Sequence, residues 1–184
     1  MESISPVTLD RDETLVAELH RLGVRHLVQT KAIEPRPLPP ADLLSGLIAN
    51  NDARMQAALI LLFLRQPAYS QSVHIALACL SDAQGMELKL YYQAAGYLQS
   101  ELEPALRMCL PDWKPLPDLF SAELGLPPFP QPDVDAALRA LGDLHRQCSG
   151  LNCNWSGSYR QNLPLFLNHL QHDHRFQEFK QTLP

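Results

Sequence analysis

The stretch Ala57–Leu64, Ala-Ala-Leu-Ile-Leu-Leu-Phe-Leu, places eight apolar residues in a row inside a helical pattern. A helix that spans a bilayer needs about 20 such residues. A shorter helix that is apolar on every side must instead be covered by protein all round. This requirement predicts an all-α fold, a compact multi-helix bundle built around that segment. Leu59, Leu62 and Phe63 are its expected core.

Other segments agree. Asp12–Leu22 has Leu15, Leu19 and Leu22 on one face and Gly23 as a stop. Asn50-Asn51-Asp52 is a turn and N-cap cluster ahead of the central helix. Ser70 is placed to cap a following helix with Val73, Ala76, Leu77 and Leu80 on one side, so Asp52–Leu80 reads as a HEAT-like hairpin. Ser81-Asp82 opens the longest helix, with Tyr91, Ala94, Ala95, Leu98, Leu102, Leu106 and Cys109 on one stripe. Pro104 lacks an amide hydrogen and crowds the preceding turn, which predicts a kink or break near Ser100–Glu103.

Pro111–Pro132 contains seven prolines yet carries Trp113, Phe120 and Phe129. It reads as an ordered crossover with a short helix at Asp118–Leu124. Helices at Val134–Arg146 and Ser158–Gln171 follow, the second interrupted or begun at Pro164, with a tail expected to fray. Val24–Gln29 is the one strand candidate. Residues 1–40 read as an N-terminal helix and proline-rich arm, and 41–184 as the helical domain.

The chain has 15 Lys+Arg against 20 Asp+Glu and a formal charge of −5, a balance unsuited to non-specific nucleic-acid binding. Met-Glu-Ser-Ile-Ser-Pro has neither the basic start nor the apolar core of a signal peptide, so a cytoplasmic protein is expected. Nothing in the pattern calls for a cofactor or a membrane.

His145, Cys148 and Cys153 form His-x2-Cys-x4-Cys, and His169, His172 and His174 cluster further on. Imidazole and thiolate are zinc ligands, but this spacing matches no standard zinc template. Arg139-Ala-Leu-Gly-Asp-Leu-His145 and Arg21-Leu-Gly-Val-Arg-His26 fit the loose Arg-to-His spacing of helical HEPN ribonucleases. There a histidine acts as general acid or base beside an arginine that stabilises charge on phosphorus. Ala140 departs from the polar residue common after that arginine. The chain has no Gly-x-Ser-x-Gly elbow and no phosphate-binding glycine loop.

Tyr91, Tyr92, Tyr97, Trp113, Trp155 and Tyr159 are amphipathic aromatics of the kind that anchor interfaces. Tyr92 lies off the apolar stripe and Trp113 lies in the crossover, so these two are the expected exposed anchors, with Phe120 facing inward.

Three segments carry a resemblance. They are Asn50-Asn51-Asp52-Ala53-Arg54 with Leu59-Ile60 and Phe63-Leu64-Arg65-Gln66-Pro67, then Tyr91-Tyr92-Gln93-Ala94-Ala95-Gly96-Tyr97-Leu98-Gln99, then Leu116-Pro117-Asp118-Leu119-Phe120-Ser121-Ala122-Glu123-Leu124-Gly125-Leu126-Pro127. With Trp155-Ser156-Gly157-Ser158-Tyr159, they resemble an uncharacterised bacterial all-helical family often encoded beside a nucleotidyltransferase-domain protein. The resemblance covers most of 50–170 and brings no catalytic residue. It implies a non-enzymatic interaction protein, an accessory or antitoxin-like subunit of a nucleotidyltransferase-type partner. A metal-independent HEPN-type ribonuclease using Arg139 and His145 is the alternative.

Overall fold

The computed structural model describes residues 6–28, 37–50 and 52–182. In chain order they form α1 (Pro6–Arg21), α2 (Pro40–Ala49), α3 (Ala53–Arg65), a 3-10 turn (Pro67–Ser72), α4 (Val73–Leu77), α5 (Asp82–Cys109), α6 (Ser121–Leu124), α7 (Val134–Ser149), α8 (Trp155–Arg160) and α9 (Leu163–Thr182). The fold is an all-α bundle, and no strand occurs among the described residues. Val24–Val28 is irregular, and Gln29 lies outside the described residues.

Side chains set the helix limits. The Asp52 carboxylate accepts from the Arg54 amide at the start of α3, and Ser81 with Gln84 forms a reciprocal capping box on α5. Asp133 and Asn154 cap α7 and α8 in the same way. Gly23 and Gly150 follow α1 and α7 at φ +84° and +69°, backbone that a side chain would strain.

α3 lies against α5 at the centre, with α2 beside both, α7 on another side of α5, α8 against α7, and α9 returning to α5. Leu59, Leu62 and Phe63 are wholly buried, as the apolar run requires. Leu15, Val16 and Leu19 of α1 belong to the same apolar cluster, which ties the N-terminal helix into the bundle. Within the expected arm, Pro37–Pro39 lead into α2 with Pro40 as its first residue, a position that needs no amide donor. The arm's residues 29–36 lie outside the described residues. The second limb of the Asp52–Leu80 hairpin is the 3-10 turn plus the five-residue α4, and Ser70 sits inside the turn, not at a cap.

The long helix departs from expectation. α5 runs without interruption through Pro104. Leu102 and Leu106, one on each side of the proline, are both buried, while Pro104 itself faces solvent. Packing on both flanks holds the helix against the loss of one hydrogen bond. The C-terminal region differs too: α8 takes Trp155–Arg160, and Pro164 lies in the first turn of α9, which continues to Thr182.

The crossover between α5 and α7 packs onto α5. At Gly96 an added Cβ would lie 2.1 Å from Cε1 of Phe129, so the ring presses directly on the helix backbone. Phe120 is buried, as expected.

Candidate functional site

Tyr92 and Trp113 are core residues, which corrects their expected role as exposed anchors. Tyr92 is fully buried; its hydroxyl donates to the Pro117 carbonyl at 2.7 Å and its ring meets the edges of Phe63 and Phe120. The cause is that α5 is buried on all faces from Leu90 to Gln99, so it has no free stripe there. Trp113 is 6% exposed and donates its Nε1–H to the Leu64 carbonyl at 2.9 Å. That oxygen is among the last four of α3, which have no partner within their own helix. Trp113 therefore caps the C-terminus of the central helix.

The proposed ribonuclease pair is not assembled. Arg139 is exposed on α7 while His145 is wholly buried. Six residues of helix turn through about 600°, which sets the two roughly 120° apart. Arg21 is bound to Glu18 through two 2.7 Å hydrogen bonds. Nor is a zinc set assembled: Cys148 and Cys153 are exposed free thiols, and both ring nitrogens of His145 are occupied. Among the described residues no group of three His, Cys, Asp or Glu is placed to hold a metal ion.

What His145 joins instead is an aromatic stack. Spacing of four residues puts Glu87 and Tyr91 on one face of α5, and Trp155 and Tyr159 on one face of α8. Gly142 on α7 lets α8 approach: an added Cβ would lie 3.3 Å from Cβ of Trp155. His145 fills the space between. Its Nδ1 lies 2.8 Å from the Tyr159 hydroxyl and its Nε2 lies 2.8 Å from Oε2 of Glu87. The Trp155 ring stacks on the imidazole at 3.4 Å and 11°, and Tyr91 meets it edge-on at 5.6 Å.

Burial pushes the Tyr91 and Tyr159 hydroxyls well above the usual phenol range, with the Glu87 charge adding to the effect. Both are therefore protonated at neutral pH. The arrangement that satisfies every group has Nε2–H donating to the Glu87 carboxylate and the Tyr159 O–H donating to Nδ1. This relay fixes the stack; it leaves no imidazole nitrogen for an incoming substrate.

The outer side of the stack borders a cavity of about 610 Å³. Asp12 and Glu13 of α1, His26, Arg54 of α3, Tyr91, Cys153, Trp155 and Tyr159 line it. Arg54 closes on Asp52 at 2.7 Å, and Asp12 accepts from Asn50 at 2.6 Å. Among the described residues, Nε1 of Trp155 is closed to solvent and has no hydrogen-bond partner of good geometry. Burial holds the His26 imidazole below its ordinary range, a hydrogen bond to the Arg54 backbone opposes this, and His20 and His169 add to it.

From the sequence, Trp155 and Tyr159 stand out as amphipathic aromatics and as the ends of one segment of the resemblance, and His26 as half of a ribonuclease spacing. The paired i, i+4 spacings Glu87/Tyr91 and Trp155/Tyr159 were the available signal. The cavity joins α1, α3, α5 and α8, and no linear motif records that.

No known protein family, curated protein or solved structure matches this chain.

Proposed function

We propose that this chain is a non-enzymatic helical binding protein, and that its binding element is the cavity beside Trp155. One observation carries the reading: a cavity of about 610 Å³ is walled by α1, α3, α5 and α8 and bordered by the rings of Tyr91, Trp155 and Tyr159, which the relay through His145 holds in place. The occupied state of His145 supports a binding role over a catalytic one, because the stack's one imidazole is already committed to Glu87 and Tyr159.

The partner we propose is the one that the sequence resemblance implies, a nucleotidyltransferase-type protein, which makes this chain its accessory or antitoxin-like subunit. Tyr92 and Trp113 do not supply the docking surface, since both are buried.

Native mass spectrometry of protein purified without denaturation from a bacterial host tests the cavity. A retained small molecule is expected, and it should be lost in Ala57→Trp, which fills the cavity from α3. A ligand present at about 100 times its Kd adds about 2.7 kcal/mol to stability, so the same molecule should raise Tm in the native chain alone. Retention by Ala57→Trp equal to that of the native protein would place the ligand elsewhere. A folded protein that retains nothing would remove the reading.

A further inference from the structure

The fold brings Cys148 and Cys153 to one short turn between α7 and α8. Cys148 sits in the last turn of α7, and Cys153 lies two residues ahead of α8. Both are exposed free thiols. The start of α8 lies back beside the middle of α7: a Cβ added at Gly142 would be 3.3 Å from Cβ of Trp155 and 3.5 Å from the Ser156 amide nitrogen. Gly150, at φ +69°, ends α7 and reverses the chain. From Gly142 to Gly150 the helix advances about 12 Å. The chain from Gly150 to Trp155 can span at most about 17 Å. Residues 151–154 must therefore run back along the last two turns of α7 with little slack, and Cys153 passes the turn that carries Cys148. Both ends of this segment are held. The Trp155 ring stacks at 3.4 Å on His145, one turn before Cys148. The Ser149 hydroxyl donates to the His145 carbonyl and accepts from the Leu151 amide.

We propose that Cys148 and Cys153 are a redox pair, which hydrogen peroxide oxidises to a reversible disulfide that fastens the return segment to α7. One thiolate attacks the peroxide: an S–O bond forms as the O–O bond breaks, leaving a sulfenic acid and releasing water. The second thiol attacks that sulfur; the S–S bond forms and the S–O bond breaks, releasing a second water. Two thiols lose two protons and two electrons in all, and one peroxide is reduced to two waters. A dithiol reductant reverses the change. Cys153 also lines the cavity beside Trp155, so the bond alters that wall.

Cys79, exposed in the turn after α4, and Cys109, buried on α5, are the internal controls. The reduced full chain is treated with hydrogen peroxide, its remaining thiols are alkylated, and the protein is digested with trypsin. Cleavage after Arg146 and Arg160 puts Cys148 and Cys153 in one peptide.

The expected result is a peptide that loses about 2 Da and takes up no alkylating agent, with both thiols restored by dithiothreitol. That loss of mass should be absent from Cys148→Ser and from Cys153→Ser alike. The oxidised chain should also melt roughly 4 °C higher than the reduced one, because the bond restricts the unfolded state without distorting the turn. Two alkylated thiols in this peptide, at a peroxide dose that has already oxidised Cys79, would overturn the pairing. So would disulfides between chains in place of the internal one. An oxidised chain that melts lower than the reduced one would show that the turn has to be forced to close, and the device would be lost with it.

Discussion

Trp113 and Trp155 occupy two regions that treat the same side chain in opposite ways. Around Trp113 the crossover and α5 pair their buried polar atoms closely. The indole N–H reaches the Leu64 carbonyl at 2.9 Å, the Tyr97 hydroxyl donates to the Pro127 carbonyl at 2.5 Å, and Gln99 exchanges two hydrogen bonds with the Leu116 backbone. Gln93 and Ser100 are exceptions on α5, with buried side-chain atoms that have no hydrogen-bond partner of good geometry. Around Trp155 the ring is packed just as firmly, stacked on His145, but its N–H has no acceptor. Both rings are buried, and only the Trp113 indole has its acceptor. The first is built to hold the bundle together. The second is built to hold its rings still beside a cavity.

The largest expected effect follows from the first region. Trp113→Ala removes a buried ring and leaves the α3 terminus without its donor. It should cost about 3–5 kcal/mol in chemical denaturation, the usual range for deleting a buried aromatic. A loss below ~1 kcal/mol would show the crossover lying on the surface of the bundle, and the contrast between the two regions would fail.

Gly96→Ala probes the same region from the other side. The new methyl meets the Phe129 ring at 2.1 Å, which forces the crossover off α5. A loss of about 1–3 kcal/mol is expected, as for other overpacked cores. Phe129→Leu in the same chain should recover part of it, and failure to recover would mean that the strain lies in the helix backbone instead.

These two residues also show what the sequence could and could not convey. The run Ala57–Leu64 announces a buried helix because no solvent-facing side is possible for it. The caps at Asp52 and Ser81 are equally local, since a side chain two or three residues ahead of its target fixes them. Pro104, Tyr92 and Trp113 were misread because the deciding partners lie elsewhere in the chain. Leu102 and Leu106 outweigh the proline through tertiary packing. Tyr92 is covered by the crossover that the prolines seemed to free, and Trp113 finds a carbonyl 49 positions away. The stack was half legible, as two i, i+4 pairs, but their meeting at His145 depends on α7 and α8 crossing at Gly142. The cavity was not legible at all, because each of its walls comes from a different helix.

A pH series addresses the second region. The folded state holds the His26 imidazole below its ordinary value of 6.5, chiefly by burial. The unfolded chain therefore takes up the proton first as pH falls. The stabilising effect of keeping this ring neutral is fully present above the unfolded value of about 6.5 and is lost as pH drops from there through the lowered folded value. His26→Phe cannot titrate, so the stability difference between native and variant should change between pH 8 and pH 5, with the native chain losing more. Parallel curves would show that His26 reaches solvent in the folded protein.

The smallest expected effect is the most informative. Trp155→Phe and Trp113→Phe make the same chemical change at two buried sites, so the volume lost is the same and largely cancels in the comparison. At Trp113 the change also leaves the Leu64 carbonyl without its donor, a further cost of about 1–3 kcal/mol. At Trp155 it removes an N–H that has no partner, so a desolvation penalty of similar size disappears instead. Trp155→Phe should therefore stay within about 0.5 kcal/mol of the native chain in ligand-free protein, at least ~1 kcal/mol above Trp113→Phe. Equal losses for the two variants in ligand-free protein would mean that Trp155 is already paired, by an ordered water or a rearranged side chain. The contrast between the two tryptophans would then be gone.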